Sequence, residues 1–169
     1  DSKGYEYKAK LTILKEAART LNYLTENNLL QYADLEKKVE DIHSSYDRTG
    51  KELKGVEARL REVQPLIKNI SNYQRLKPVY DAFQKAKDKP GFKAKHEAEL
   101  VIFEAARSTL LAMQGDEKLP SLKTLKAEQA QLFEEQERLY AERNRLKKEA
   151  KQIETIKSNV DTFLAPSAD

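Results

Sequence analysis

Two regular hydrophobic repeats run along this chain and constrain its fold more than any other feature. The first repeat advances in steps of four and three residues, and the second returns every seven residues. A period of 3.5 residues keeps one stripe of a helix against a partner helix over many turns, so both repeats indicate long helices packed lengthwise. The first seam consists of Leu35, Val39, Ile42, Tyr46, Thr49, Leu53, Val56, Leu60, Val63, Ile67 and Ile70, and the second of Leu125, Leu132, Leu139, Leu146, Ile153 and Val160.

The seams predict an all-α fold, an elongated helical bundle of about four helices with long antiparallel coiled-coil helices. We expect one helical accessory domain over 1–169, with predicted helices at about 5–26, 32–86 (kinked near 65), 93–114 and 121–164, and a frayed tail at 165–169. Short turns alone would make the fourth helix parallel to the second. The antiparallel pairing therefore needs the third helix to cross the tip, or the second helix to fold back.

Local signals predict where these helices begin and end. Asn27 and Asn28 end the first helix, because Asn tolerates the left-handed conformation of a helix end. The segment from Lys87 to Gly91 has the composition of a turn. Gly115 is a C-cap candidate, and Ser121 is the expected N-cap of the fourth helix. The third helix is apolar on more than one side, so we expect it to be covered from two directions.

The composition weighs against an enzyme, a cofactor or a metal site. The chain has no Cys and two His residues, and neither His43 nor His96 has ligands at a metal-binding spacing. No Gly-rich phosphate loop occurs and no apolar stretch reaches membrane length. We therefore expect a cytoplasmic protein without catalytic residues, and the missing initiator Met predicts a fragment of a longer protein.

Charge is distributed unevenly, although the formal net charge is only +3. Basic residues dominate over 51–77 and 138–151, whereas acidic residues dominate over 32–47. These basic stretches fit a phosphate backbone or an acidic protein, but the solvated flank of a coiled coil explains them better. Arg143, Lys147 and Lys151 repel one another as i,i+4 neighbours, which a bound anion would relieve. The candidate contact residues are Arg138, Arg143, Arg145, Lys147, Lys148, Lys151, Lys51, Lys54, Arg61 and Lys68.

An ordered set of short sequence segments carries a resemblance that covers nearly the whole chain. They run in this order: Ser2-Lys3-Gly4-Tyr5-Glu6, Ala17-Ala18-Arg19-Thr20-Leu21-Asn22-Tyr23-Leu24-Thr25-Glu26-Asn27, Tyr32-Ala33-Asp34-Leu35, His96-Glu97-Ala98-Glu99-Leu100, Leu119-Pro120-Ser121-Leu122-Lys123, Leu139-Tyr140-Ala141-Glu142 and Asn159-Val160-Asp161. Together the segments resemble the C-terminal region of relaxases, the mobilisation nucleases of conjugative elements and plasmids in Gram-positive bacteria.

The resemblance implies an accessory, non-catalytic role in conjugative DNA transfer. Relaxases nick DNA with a Tyr nucleophile and a His-cluster metal site in an N-terminal domain, and no such cluster occurs here. The implied partners are DNA at the transfer origin, relaxosome or secretion-coupling proteins, and a second copy in a homodimer, with no membrane. The alternative function is a purely structural coiled-coil dimerisation or spacer element without nucleic-acid affinity.

Overall fold

Helices make up almost all of the computed structural model, which describes residues 2–115 and 118–166. Within these residues there are five α-helices and no strand, so the bundle is all-helical as predicted. The predicted count of about four is not confirmed, because the predicted turn near Pro90 contains a short helix of its own. The helices are α1 (Ser2–Glu26), α2 (Tyr32–Lys85), α3 (Lys89–Lys95), α4 (Glu97–Gln114) and α5 (Leu122–Leu164).

Both seams lie on the packed faces of α2 and α5. Every residue of the first and second seams is buried or half-buried. Thr49, the polar member of the first seam, is buried and its hydroxyl donates to the Ser45 carbonyl at 2.7 Å. The hydroxyl therefore has a partner within its own helix, as a buried polar group requires. The 3.5-residue period thus correctly identified the faces that α2 and α5 bury.

The chain divides into two compact units, and α2 and α5 each contribute to both. Unit 1 contains Asp1–Glu52 and Leu139–Asp169, and unit 2 contains Leu53–Arg138. The single accessory domain over 1–169 stays a prediction.

Unit 1 has a core formed by α1, α2 and α5. Its buried side chains are Leu29, Leu35, Ile42, Ile153 and Ile156. Three contacts pair α2 with α5 around this core. The Tyr32 hydroxyl donates to Asp161 at 2.7 Å, His43 Nε2 lies 2.8 Å from Glu154, and Arg143 lies over the Tyr46 ring. From Tyr32 to Tyr46 along α2, the contacting residue on α5 therefore moves back in the sequence from Asp161 to Arg143.

The end of α1 follows from the left-handed backbone of Asn28. Its φ of 56° reverses the chain, as the paired asparagines predicted. The N–H of Leu29 then bonds the Leu24 carbonyl at 2.8 Å, and the N–H of Asn28 bonds the Thr25 carbonyl at 3.3 Å. This pair of bonds is a Schellman motif. Leu29 and Leu24 both belong to the unit 1 core, so the motif fastens α1 at its C-terminal end.

Unit 2 has a separate core in which α4 packs beside α2. Val63, Ile70, Leu110 and Leu125 form one buried cluster. Nearby, the ring of Phe103 stacks on Tyr73 and on Tyr80, with centroid distances of 5.1 Å and 4.6 Å. Stacking at these distances adds to the area that the rings bury.

The segment before α4 differs from the predicted turn. Asp88 caps α3 by accepting a hydrogen bond from the Gly91 N–H at 3.1 Å. Pro90 lies in the first turn of α3, where its missing N–H leaves no bond unmade. His96 then separates α3 from α4 with a non-helical backbone. The Pro and Gly that suggested a turn instead begin a short helix.

Other predicted signals have mixed outcomes. Ser121 caps α5, because its hydroxyl accepts from the Thr124 N–H at 3.1 Å, and Gly115 occupies the C-cap of α4. Helix α2 continues through Pro65 and Pro78 as one helix. In the predicted tail, residues 165 and 166 follow α5, whereas 167–169 lie outside the described residues.

The prediction that α4 is covered from two directions is wrong. Leu100, Phe103, Ala106 and Leu110 are buried on one face. The other apolar residues of α4, Val101, Ile102, Leu111 and Met113, are exposed. Among the residues that the structure describes, neighbours thus cover one face of this helix and not the other.

Candidate functional site

The candidate contact residues divide between the two units. Those of unit 1 are Lys51, Arg143, Arg145, Lys147, Lys148 and Lys151, and those of unit 2 are Lys54, Arg61, Lys68 and Arg138. Their role in contacting DNA or an acidic partner stays a prediction. Their surroundings differ enough to separate charges that are already engaged from charges that face water.

Arg143 is engaged in packing. Its guanidinium lies 4.2 Å from the centre of the Tyr46 ring, a cation–π distance. The same group occupies the space beside Gly50, where a Cβ atom would collide with it. Arg143 is half-buried as a result. Sequence reasoning grouped Arg143 with Lys147 and Lys151 and missed its contacts with Tyr46 and Gly50, because a contact between two helices leaves no local signal.

Arg145 is neutralised within its own helix. It bonds Glu142 at 2.6 Å and Glu149 at 3.0 Å. The hydrogen bond to Glu142 raises the pKa of the guanidinium, with a further contribution from Glu149. Glu142 lies three residues before Arg145 and Glu149 four residues after it, so the sequence alone already indicated that Arg145 is paired within its helix.

Three lysines of α5 form the strongest unpaired positive charge in the candidate set. Lys147, Lys148 and Lys151 are exposed, and none makes an ion pair with any residue that the structure describes. Their spacing of one, three and four residues places them on one side of the helix. We call these residues the lysine cluster.

A shallow groove of about 520 Å³ lies beside the lysine cluster within unit 1. Lys148 and Lys151 line one wall, and α1 provides the other wall with Arg19 among its residues. Arg19 is held by Glu16 at 2.9 Å, and Glu26 adds a further negative charge. Because both signs of charge line it, the groove itself is a poor anion pocket. The cluster's outer surface is the better candidate for contact with an anion.

The remaining candidates are more scattered. Arg61 and Lys68 line a shallow surface depression around Pro65, and Lys54 and Lys51 are exposed. Arg138 lies 3.9 Å from Glu135, at the limit of an ion pair. These side chains are available to solvent, but the contacts that the structure describes do not gather them into one site.

Sequence reasoning missed a bidentate ion pair in unit 2. Arg59 Nε and Nη2 donate to the two carboxylate oxygens of Glu128 at 2.6 Å and 3.1 Å, and Arg59 also contacts Glu62. The hydrogen bonds from Arg59 lower the pKa of Glu128 below its usual 4.5. The pair ties α2 to α5 inside unit 2, so it is structural rather than a surface for ligands.

Glu128→Gln is expected to reduce stability by about 0.5–1 kcal/mol at pH 7, because solvent screens this part-exposed pair. A carboxylate with a lowered pKa in the folded state stabilises above its unfolded pKa of about 4.5 and loses that effect as the pH falls through the folded value. Urea unfolding of both proteins from pH 7 down to pH 3 tests this. A difference that does not shrink below pH 4.5 would contradict the assignment.

Each of the two histidines contacts one carboxylate. His43 pairs with Glu154, and His96 Nδ1 lies 3.2 Å from Glu99. No group of three or more His, Cys, Asp or Glu residues in the described part of the chain could hold a metal ion. Each described helix also lacks the combined length and apolarity of a membrane span.

No family model, curated protein or solved structure matches this chain.

Proposed function

We propose that this chain is the non-catalytic C-terminal region of a DNA relaxase and that its lysine cluster contacts the phosphate backbone of DNA during conjugative transfer. The observation that carries the proposal is the exposed, unpaired state of Lys147, Lys148 and Lys151 on one side of α5. The relaxase assignment is supported by the resemblance of the ordered sequence segments to the C-terminal region of relaxases.

The chemistry of the lysine cluster suits phosphate rather than bases. Ammonium groups are point charges that satisfy phosphate oxygens without a fixed geometry, and no side chain of the cluster has the planar amide or guanidinium group that recognises a base edge most selectively. Lys147 and Lys151 repel each other as i,i+4 neighbours, and a phosphate between them removes that cost. Contacts of this kind position DNA without reading its sequence. The proposed activity is therefore binding that is independent of sequence and strongly dependent on salt.

We also propose that α2 and α5 form an antiparallel coiled coil. Support comes from unit 1, where Tyr32 pairs with Asp161, His43 with Glu154 and Tyr46 with Arg143. Such pairing holds the lysine cluster on a continuous helix whose opposite side is fixed by the second seam. The cluster would then face solvent on a firm support.

A structural spacer or dimerisation element is the competing function. It predicts no affinity for nucleic acid. Dimerisation through the two seams is disfavoured, because the seam residues are already buried or half-buried within one chain. Binding measurements therefore discriminate the two functions directly.

Reversing the charge of the lysine cluster should abolish most DNA affinity. For K147E/K148E/K151E we expect binding to a labelled duplex to fall by about 100-fold at 50 mM salt, because each lost phosphate contact removes released counterions. Fluorescence anisotropy across a salt series measures affinity and slope together. The slope of log Kd against log salt should decrease by about 3.

Arg145→Gln is the matched control, because Glu142 and Glu149 already neutralise that charge. Its affinity should stay within about twofold of the unaltered chain. Circular dichroism would verify that the exposed substitutions leave the helices intact. Absence of DNA binding by the unaltered chain, or equal losses in both variants, would refute the proposal.

A further inference from the structure

Helix α1 carries a heptad stripe that faces water. The stripe advances by four and three residues, the same spacing that α2 and α5 use for burial. Its large side chains are exposed, with Leu14 at 65% and Leu21 at 58% of their maximal area. The stripe residues are Tyr7, Leu11, Leu14, Ala18 and Leu21.

Helix α1 packs in unit 1 through a different side. Thr20 is buried and accepts a hydrogen bond from Asn159 Nδ2 at 3.1 Å, while Tyr23 and Leu24 pack against the unit 1 core. At 100° per residue, Ala18 of the stripe lies about 160° around the helix from Thr20. The fold therefore holds α1 by one side and leaves the apolar stripe on the other side uncovered.

The N-terminal part of α1 has even fewer contacts. Residues 2–15 are exposed on every side of the helix. A helix of that length is marginal in water without packing, because nucleation is costly and few hydrogen bonds follow. A partner helix on the stripe would supply the missing packing.

The charges beside the stripe select the kind of partner. With Leu11 at position a and Leu14 at position d, Lys8 and Lys15 occupy e positions and Lys10 occupies a g position. Side chains at e and g face the flanks of a partner helix. In a pair of identical α1 helices, parallel or antiparallel, these lysines would face one another and repel. A helix with Asp or Glu at e and g meets them with opposite charge.

The width of the stripe favours a helix over a lipid surface. Helices that lie in a membrane interface present a broad apolar face with large side chains. Here the stripe follows only the a and d positions, and Ala18 interrupts its large residues. Narrow a/d stripes match the seam of a coiled coil.

We propose that α1 is a docking surface for an acidic amphipathic helix of a partner protein, with apolar residues at a and d and Asp or Glu at e and g. The partner helix would cover Leu11, Leu14 and Leu21 and pair with the flanking lysines. The proposal does not depend on DNA binding, since α1 and the lysine cluster are tested by different substitutions.

Binding of designed peptides to the full chain tests the proposal. The probe is a labelled synthetic helix of about four heptads with Leu at a and d and Glu at e and g, and its counterpart carries Lys at e and g. We expect the chain to bind the Glu peptide and not the Lys peptide. K8E/K10E/K15E should reverse that preference. Leu14→Asp should weaken binding by about 30-fold, because a buried Leu contributes roughly that factor.

Leu111→Asp is the matched control, since Leu111 is an equally exposed Leu, at 62% of its maximal area, that belongs to α4 and not to the stripe. It should leave peptide affinity unchanged, and Leu14→Asp should leave DNA affinity unchanged. Sedimentation without peptide and flotation with phosphatidylglycerol vesicles complete the test. The proposal would be overturned if the chain self-associates and Leu14→Asp abolishes that self-association. It would also be overturned if the chain binds vesicles but not the peptides, or if it binds both peptides equally.

Discussion

Replacing Phe103 with Ala is expected to lower the free energy of unfolding by about 3–5 kcal/mol. Phe103 is 2% exposed and its ring stacks on both Tyr73 and Tyr80. The substitution removes the buried area, leaves a cavity between two tyrosines and ends both stacking contacts, each of which contributes about 0.5–1.5 kcal/mol. Urea unfolding followed by circular dichroism measures the loss.

Ile102→Ala provides the comparison for this prediction, because Ile102 is the preceding residue of α4 and is exposed. Its cost should be about 1 kcal/mol or less, since little buried area is lost. Phe103→Leu, which keeps most of the volume but no ring, should fall between the two. Similar losses for Ile102→Ala and Phe103→Ala would show that Phe103 is not packed as described.

A charge at position 153 should be at least as damaging in unit 1. Ile153 is fully buried in the core with Leu35 and Ile42. An Asp carboxylate there would lose its water without gaining a partner, so we expect Ile153→Asp to cost more than about 4 kcal/mol. Thermal and urea unfolding of the purified protein would show a large loss or a chain that no longer folds.

Two milder substitutions keep that experiment interpretable if the Asp variant does not fold. Ile153→Val should cost about 0.5–1.5 kcal/mol through loss of one methylene group. Gln152→Asp introduces the same carboxylate at an exposed neighbouring position and should cost about 0.5 kcal/mol through helix propensity. A Gln152→Asp variant as unstable as Ile153→Asp would contradict the burial of the second seam.

The sequence predicted those parts of the fold that periodicity and local capping control. The 3.5-residue repeat identified the packed faces of α2 and α5, on which every seam residue is buried or half-buried. Asn28, Gly115 and Ser121 mark helix ends because their conformational freedom or side-chain oxygen acts locally. Such signals need no knowledge of distant residues.

The faces of α1 and α4 show where periodicity stops being informative. An apolar stripe indicates that a helix can bury one side, but it does not indicate whether the chain contains a neighbour that covers this side. On α1 the stripe through Leu14 is exposed, whereas the side with Thr20 is packed. The Schellman motif and the burial of Leu29 in the unit 1 core orient the helix in this way. That orientation depends on packing of the whole of unit 1.

The candidate contact residues were predicted by charge counting, which cannot separate engaged from available groups. Arg145 and Lys147 are two residues apart, yet two glutamates hold the first and the second has no ion pair among the described residues. The glutamate spacing was legible in the sequence. The contact of Arg143 with Tyr46 was not, because it joins residues that are far apart in the chain.

The space beside Gly50 that the Arg143 guanidinium occupies restricts how α2 and α5 can align in unit 1. Heptad seams alone permit two helices to slide by seven residues, since each apolar position is replaced by an equivalent one. Gly50 breaks that equivalence, because only there does the missing side chain admit the Arg143 guanidinium. One heptad to either side the positions hold His43 and Glu57. Within unit 1, Gly50 thus helps to select one register, together with the Tyr32–Asp161 and His43–Glu154 contacts.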